Sequence, residues 1–308
     1  MSEKILCRVI TGPTASGKSG HALRLAREKG YEILCMDSMQ IYRGMDIGTA
    51  KPTPEEQRTV PHHLLDVADP TENFNVASWH DLAEAKIRQL AEEGKQVLLV
   101  GGTGLYLESL VHPMALGSVP ADEKIREELR RLGETYGGRT ELHEMLRALD
   151  PVTAERLPLN DLQRVIRAIE VSRITGIPFS AQPRTGQESE FDWRIAVLIP
   201  ERQELYRRID ERVDRMIADG LAEEVRRLLD GGVPEDARSM CGLGYKEMIP
   251  YLRGMTDLET AAAEIRLGTR HYAKRQMTYM KRFENAVSVD PLADGAYERI
   301  REILCGEE

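Results

Sequence analysis

Residues Gly12-Pro13-Thr14-Ala15-Ser16-Gly17-Lys18-Ser19 satisfy the pattern G-x-x-x-x-G-K-[ST] in full. The chemistry of such a stretch is narrow. Its glycines let consecutive backbone N–H groups turn inward onto phosphate oxygens, Lys18 adds a point charge, and the Ser19 hydroxyl is placed to ligate Mg²⁺. The flanks are those the mechanism needs: the apolar run Ile5–Ile10 reads as a buried strand and Gly20–Lys29 as the helix after the turn. A purely structural glycine turn is the bland alternative. The loop says that phosphate is bound and leaves the reaction open.

A second group narrows the reaction. Nucleotide hydrolases with this loop normally hold Mg²⁺ through an acid at the end of another apolar strand. Here the run Gln96–Val100 ends in Gly101-Gly102-Thr103-Gly104, without an acid, whereas Tyr31–Met36 runs into Asp37. Asp37 can act from a metal's outer sphere or as a general base facing the phosphate loop; a helix N-cap or turn aspartate is the plain alternative. No glutamine or arginine-finger signature points to hydrolysis. Transfer chemistry on a phosphorylated small molecule fits better.

The elements that must position these residues are legible in outline. Short apolar runs at Ile5–Ile10, Ile33–Met36, Val97–Val100 and Ile195–Ile199 alternate with helical patterns, the mark of a parallel sheet covered on both faces. Between about residues 120 and 190 no strand pattern occurs. Ile125, Leu129 and Leu132 fall at helical spacing, as do Leu142, Met145, Leu146 and Leu149, and then Leu162, Val165, Ile166 and Ile169. Pro120, Pro151, Pro158 and Pro178 punctuate these helices, and Gln182–Glu190 reads as a polar return loop. The expected fold is therefore α/β, a P-loop NTPase-like parallel sheet flanked by helices, with a small all-helical insertion domain. The expected boundaries are 1–119 and 191–308 for the core and 120–190 for the insertion.

Beyond the last apolar run, Tyr206, Ile209, Val213, Met216 and Ile217 mark the inner face of a long helix broken at Gly220. Ala222–Leu229 gives a second helix, ending at Gly231-Gly232, and Ala261–Phe283 a third. Between Glu264 and Arg282 the third carries six basic residues (Arg266, Arg270, Lys274, Arg275, Lys281, Arg282) against one acid. On a chain of net charge −9 such a stripe is what a local nucleic-acid face looks like, with a solvated helix surface as the alternative.

Composition excludes several classes. No apolar run approaches the ~20 residues that span a bilayer, and Met1-Ser2-Glu3-Lys4 leads into a strand without a signal-peptide pattern. Cys7, Cys35, Cys241 and Cys305 lie far apart, which favours free thiols in a reducing cytoplasm over a zinc site or a disulfide framework. His62 and His63 lack metal-ligand spacing, and Met114, Met145 and the other methionines read as core filler.

The stretch Asp37-Ser-Met-Gln-Ile-Tyr-Arg-Gly-Met-Asp-Ile-Gly-Thr-Ala-Lys-Pro52 closely resembles a signature of the tRNA dimethylallyltransferases, also called tRNA isopentenyltransferases. Further blocks follow in that family's order: His62–Asp66, Gly101–Tyr106, Asn160–Glu170, Gly242–Lys246 and Thr269–Thr278. The resemblance runs from residue 12 to about 283, and it includes no C-terminal zinc finger of the eukaryotic kind.

The resemblance implies a reaction. A dimethylallyl group passes from dimethylallyl diphosphate to N6 of the adenosine just 3′ of the anticodon, in tRNAs reading codons that begin with U. Diphosphate leaves and Mg²⁺ assists. Gly12–Ser19 then cradle the diphosphate, so an ATP-binding, nucleotide-binding label attached by pattern alone would misname the ligand. Charge builds on the diphosphate as the allylic C–O bond breaks, which suits preorganised N–H donors, Lys18 and Mg²⁺ held by Ser19. The exocyclic amine must lose a proton, and the family match gives that role to Asp37. It places Thr103 at the tRNA and the reacting centre, though alone it would be a turn hydroxyl. It places Arg212 near the diphosphate, though periodicity alone makes it a surface charge.

On the RNA side the target base must be extruded before it can react. The resemblance assigns base contacts to Asp37, Ser38, Met39 and Gln40 and further tRNA contacts to Gln163, Arg164, Val165, Ile166 and Arg167, with Arg126 beside them. Core-facing Leu162, Val165, Ile166 and Ile169 turn Arg164 and Arg167 to another helix face, where phosphates are reachable. Arg270, Lys274 and Arg275 read as a second phosphate clamp, with Tyr272 and Tyr279 as stacking groups or core residues. The expected protein is a cytoplasmic monomer whose insertion contacts the tRNA anticodon arm. Two rivals remain: a P-loop small-molecule or nucleoside kinase, for which the insertion would be the lid, and a non-catalytic RNA-binding regulator with a nucleotide switch.

Overall fold

The computed structural model of the 308-residue chain describes residues 4–112, 119–182 and 190–306. By its contacts the chain divides into two compact units, Met1–His112 with Ser189–Glu308, and Pro113–Glu188.

The larger unit is built on strands β1 (Ile5–Thr11), β2 (Glu32–Cys35), β3 (His62–His63), β4 (Val97–Gly101), β5 (Phe191–Leu198) and β6 (Ala286–Val289), ordered β3-β2-β4-β1-β5-β6. Every pairing is parallel. Strand residues alternate between two cores, as the period of a strand requires. Cys7, Val9, Leu34, Leu99, Ile195 and Val197 belong to one; Ile10, Ile33, Leu98, Val100, Ala196 and Leu198 belong to the other. Burial on both faces is why these strands read as continuous apolar runs. The edges escape that signal: β3 has two half-buried histidines, and of β6 only Val289 is buried.

Helix α1 (Lys18–Lys29) packs Ala22, Leu25 and Ala26 against the second core. It begins two residues before the expected start, which puts Lys18 and Ser19 in its first turn. After it come α2 (Pro54–Thr59), α3 (Val76–Glu92) and α4 (Gly104–Val111). The first core is covered by Trp79, Ala83, Ile87 and Leu90 of α3 and by Tyr106, Leu107 and Leu110 of α4. No described helix is long and apolar enough to cross a membrane. All four cysteines are free, with Cys7 and Cys35 buried in β1 and β2.

The smaller unit holds α5 (Glu123–Glu134), α6 (Gly138–Leu149), α7 (Pro151–Arg156) and α8 (Leu162–Thr175) around Leu129, Leu142, Leu146, Val165, Ile166 and Ile169. Asp150 starts α7 by accepting from Thr153 N, Thr153 Oγ1, Ser180 N and Ser180 Oγ at 2.6–3.0 Å. Those bonds outweigh its desolvation and hold its carboxyl down at about 2. The expected loop Gln182–Glu190 lies, apart from its ends, outside the described residues, as does Met114.

After β5 the chain forms α9 (Arg202–Ala218), α10 (Leu221–Asp230), α11 (Tyr245–Leu252), α12 (Leu258–Met280) and, after β6, α13 (Ala296–Cys305). Gly220, at φ 98°, separates α9 from α10. That left-handed conformation suits glycine, which explains the break.

Candidate active site

Three loops meet at the C-terminal ends of adjacent strands β2, β4 and β1, where open parallel sheets bind ligands. After β1 comes Gly12–Lys18. Gly12 takes φ 149°, and a Cβ there would stand 2.4 Å from the Leu198 carbonyl oxygen. Ala15, at φ 61°, is held in a left-handed turn, and Arg208 Nη1 donates to its carbonyl at 3.4 Å. Lys18 Nζ donates to Pro13 O at 3.2 Å, folding back along the loop.

After β2, Asp37 Oδ1 accepts from Met39 N at 2.9 Å and Gln40 N at 3.4 Å. The turn reading of this aspartate holds, since Oδ1 shapes the loop, and the residue also lines the same cavity as Lys18. The segment to Pro52 is tied down from within. Lys51 Nζ, with its side chain only 3% exposed, bonds Asp46 and Asp66 at 2.6 Å and Tyr42 O at 2.9 Å. Glu224, 1% exposed, accepts from the consecutive backbone N–H groups of Asp46, Ile47 and Gly48 at 2.8–3.0 Å and from Tyr245 OH at 2.7 Å. Gln40 Nε2 then donates to the carbonyls of Thr49 and Ala50 at 3.1 Å.

After β4 comes Gly101-Gly102-Thr103-Gly104, whose glycines answer to close approach. A Cβ at Gly101 would lie 1.9 Å from Met36 O, one at Gly102 2.2 Å from Gln276 Nε2, and one at Gly104 2.3 Å from the Tyr279 ring. Thr103 Oγ1 accepts from Ser38 N at 3.0 Å, which joins this loop to the one carrying Asp37. From α12, Gln276 Oε1 accepts from Thr14 N and Gln276 Nε2 donates to Gly102 O, both at 2.9 Å.

These loops line a cavity of about 350 Å³. Lys18, Arg212, Lys246 and Arg275 are among its lining cations, and Asp37 is the acid that acts on Lys18 and Arg212. Desolvation, reinforced by Arg212 and opposed by Asp37, lowers the Lys18 pKa to about 8. Desolvation also lowers that of Arg212, whose Nη2 donates to Thr49 O at 3.4 Å. Arg212 is thus a cavity residue, not the surface charge that periodicity alone suggests. Ile209, Val213, Met216, Leu243 and Ile265 supply an apolar wall. Cations and apolar side chains lining one cavity suit an anionic head bearing a small apolar tail.

Of the residues expected at the site, Thr14, Lys18, Ser19, Asp37, Ser38, Met39, Gln40, Arg212 and Arg275 line this cavity, and Thr103 joins it through Ser38. The basic stripe is divided. Arg270 forms two bonds to Asp210, at 2.5 and 2.8 Å, and Arg266 pairs with Asp214 at 2.5 Å, so acids of α9 neutralise one side of α12. Lys274 and Arg275 are exposed, with Arg275 over the Tyr272 ring at 5.7 Å. Tyr279 lies under Arg282 at 4.7 Å and bonds Glu108.

Arg126, Gln163, Arg164, Val165, Ile166 and Arg167 belong to the smaller unit. Val165 and Ile166 are in its core, while Gln163 and Arg164 are exposed. Arg126 Nε and Arg167 Nη1 both bond the fully buried Glu170, at 2.9 and 2.7 Å, and Arg167 Nη2 donates to Val119 O at 2.8 Å. Residues that sequence reasoning missed are Gln276, Glu224, Tyr245 and Lys51. Three of them stand inside recognised blocks, but nothing in one chain tells which partner a buried polar group takes.

The fold and this site define a P-loop protein of the parallel α/β class, whose phosphate loop shares its cavity with an acid after the neighbouring strand. A family model described as IPP transferase matches residues 40–283. The tRNA dimethylallyltransferase of Geobacter metallireducens is 47% identical over 94% of this chain and 93% of its own. That of Geobacillus thermodenitrificans is 45% identical over 94% and 90%. Among solved structures, the tRNA isopentenylpyrophosphate transferase of Bacillus halodurans superposes with a TM-score of 0.70 at 41% identity, over 98% of this chain and 95% of that one. A eukaryotic dimethylallyltransferase acting on tRNA gives 0.78 at 25% identity, over 96% and 76%. The chain belongs to the IPP transferase family.

Proposed function

We propose that this protein transfers a dimethylallyl group from dimethylallyl diphosphate to N6 of the adenosine 3′-adjacent to the anticodon, in tRNAs reading codons that begin with U, and releases diphosphate. The observation that carries the reading is the shared cavity: Lys18, Arg212 and Asp37 beside an apolar wall. The family's curated members carry the name of this reaction, and the kinase alternative leaves the bonded block Asp37–Lys51 without a purpose.

In this mechanism the N–H groups of Gly17, Lys18 and Ser19, with the Lys18 and Arg212 side chains, bind the diphosphate and take up the charge that grows as the C–O bond breaks. Removal of water from the pocket strengthens these contacts. Asp37 accepts the N6 proton as the C–N bond forms, and Thr103, bonded to Ser38 N, steadies the Asp37 loop. Ser19 at the start of α1 and Asp37 in the same cavity are oxygen donors of the kind Mg²⁺ accepts when phosphate supplies its other ligands. Mg²⁺ held there would neutralise charge on the leaving diphosphate. Ser38, Met39 and Gln40 face the extruded base, exposed Lys274 and Arg275 hold RNA phosphates, and the insertion meets the anticodon arm through Gln163 and Arg164. The working form is a cytoplasmic monomer.

Purified protein, unmodified tRNA, Mg²⁺ and radiolabelled dimethylallyl diphosphate test the reading. Label moves to the RNA if it holds; ATP consumption with no label on the RNA overturns it.

A further inference from the structure

The hydrogen bonds of Gln276 lead beyond the diphosphate and the base taken separately. The side chain is 5% exposed and reaches two loops from one helix position: Thr14 N donates to Oε1 and Nε2 donates to Gly102 O, both at 2.9 Å. An amide suits this place because it alone presents one acceptor and one donor at a fixed separation. A carboxylate would set an oxygen against the Gly102 carbonyl, and a larger residue at 102 would collide with the amide. One helical turn earlier, the Tyr272 side chain lies beside both Gln276 and Thr103 and lines the same cavity. Thr103 in turn accepts from Ser38 N, next to Asp37. The bonds thus tie the phosphate loop at Thr14 through Gln276 to Gly102, next to Thr103, which holds the Asp37 loop, with Tyr272 packed beside the junction.

We propose that Gln276 and Tyr272 are positioning residues that clamp the phosphate loop to the Thr103 loop, so that diphosphate binding and the geometry of proton removal by Asp37 are set together. The inference rests on the transfer reading for its second half only; the clamp's hold on the phosphate loop stands without it. Loss of the clamp frees Thr14 N from its buried partner and lets the mouth of the phosphate loop move relative to Thr103. Buried hydrogen bonds of this kind are not competed for by water, so their loss is felt in full.

The test uses Gln276→Leu, Gln276→Glu and Tyr272→Phe in the full chain, with inorganic pyrophosphate binding by calorimetry and transfer kinetics to unmodified tRNA. Gln276→Leu should weaken pyrophosphate binding about tenfold and raise KM for the allylic diphosphate similarly. Tyr272→Phe, which keeps the ring's volume, should lower kcat with little change in pyrophosphate affinity. The Gln276→Leu/Tyr272→Phe double variant should lose less in kcat/KM than the product of the two single losses, because neighbouring residues that brace the same loop couple. Gln276→Glu, which can still accept from Thr14 N, should bind pyrophosphate worse than Gln276→Leu through charge repulsion. Multiplicative losses in the cycle, or pyrophosphate affinity within twofold of the parent for Gln276→Leu, overturn the clamp. If Gln276→Leu does not fold, the pyrophosphate affinity of Gln276→Glu and the kcat of Tyr272→Phe decide alone: parental values for both overturn it. Failure of the parent protein to label tRNA would count against the transfer reading and leave the pyrophosphate comparison intact.

Discussion

Lys18 and Asp37 line one cavity, and the titration of Lys18 gives the site a direction. Lys18 loses its proton near pH 8 in the free protein, because desolvation and Arg212 favour the neutral amine. A bound diphosphate favours the charged form. Affinity for a non-cleavable allylic thiodiphosphate should therefore be level below about 8 and fall as pH rises through it, with uptake of about one proton per ligand above it. Calorimetry in two buffers of different ionisation enthalpy measures the uptake, and Lys18→Gln should abolish it. In the ligand-free protein the sign is opposite: between about 8 and the ordinary 10.5 the unfolded lysine holds more proton than the folded one, so this group's contribution to stability rises with pH. Asp37→Ala should cut transfer by at least about a hundredfold, the usual scale of a general base, while filter binding shows tRNA affinity within a few-fold. Retained activity would remove Asp37 from the base role.

Among elements, the segment from Asp37 to Pro52 shows how one wall of the cavity is held. Glu224 on α10 fills a concavity of three consecutive N–H groups, and the carbonyl that follows, Thr49 O, receives both Gln40 and Arg212. Glu224→Gln keeps the volume but has one acceptor oxygen where two were used. It should destabilise the protein by about 1–3 kcal/mol in urea melts and lower kcat/KM further than a remote variant of equal stability loss. The recognised blocks made the residues of this wall visible, because Asp37, Gln40 and Lys51 fall in one stretch. The carboxylate holding it was hidden: Glu224 sits in an ordinary-looking amphipathic helix 176 residues from Gly48. The basic stripe teaches the same lesson in reverse. Arg266 and Arg270 pair with Asp214 and Asp210 of α9, at a distance in sequence that periodicity does not bridge.

At the scale of the molecule, the central strands were legible because two-sided burial writes an apolar run, and the edge strands β3 and β6 were not because they bury too little. The helical insertion was legible from its three-four spacing and prolines. Its arginines divide by role in a way spacing did not show. Arg167 serves the buried Glu170, so Arg167→Ala should cost about 1–3 kcal/mol of stability by leaving that carboxylate short of a partner. Arg164, 65% exposed and paired among the described residues with Asp161 at 3.2 Å, should when changed to Ala leave stability unaltered and weaken tRNA binding. The slope of affinity against salt should shrink by about one unit in the same assay. The contacts between α12 and the loop after β4 join positions more than 170 residues apart, and they carry a consequence for genetics. Of three near-adjacent glycines, Gly101 meets main chain and should admit no suppressor anywhere. Gly102 meets Gln276, so any relief there forfeits the clamp. The three atoms nearest a Cβ at Gly104 all belong to the Tyr279 ring, and a selection starting from its alanine variant should return second-site revertants at Tyr279.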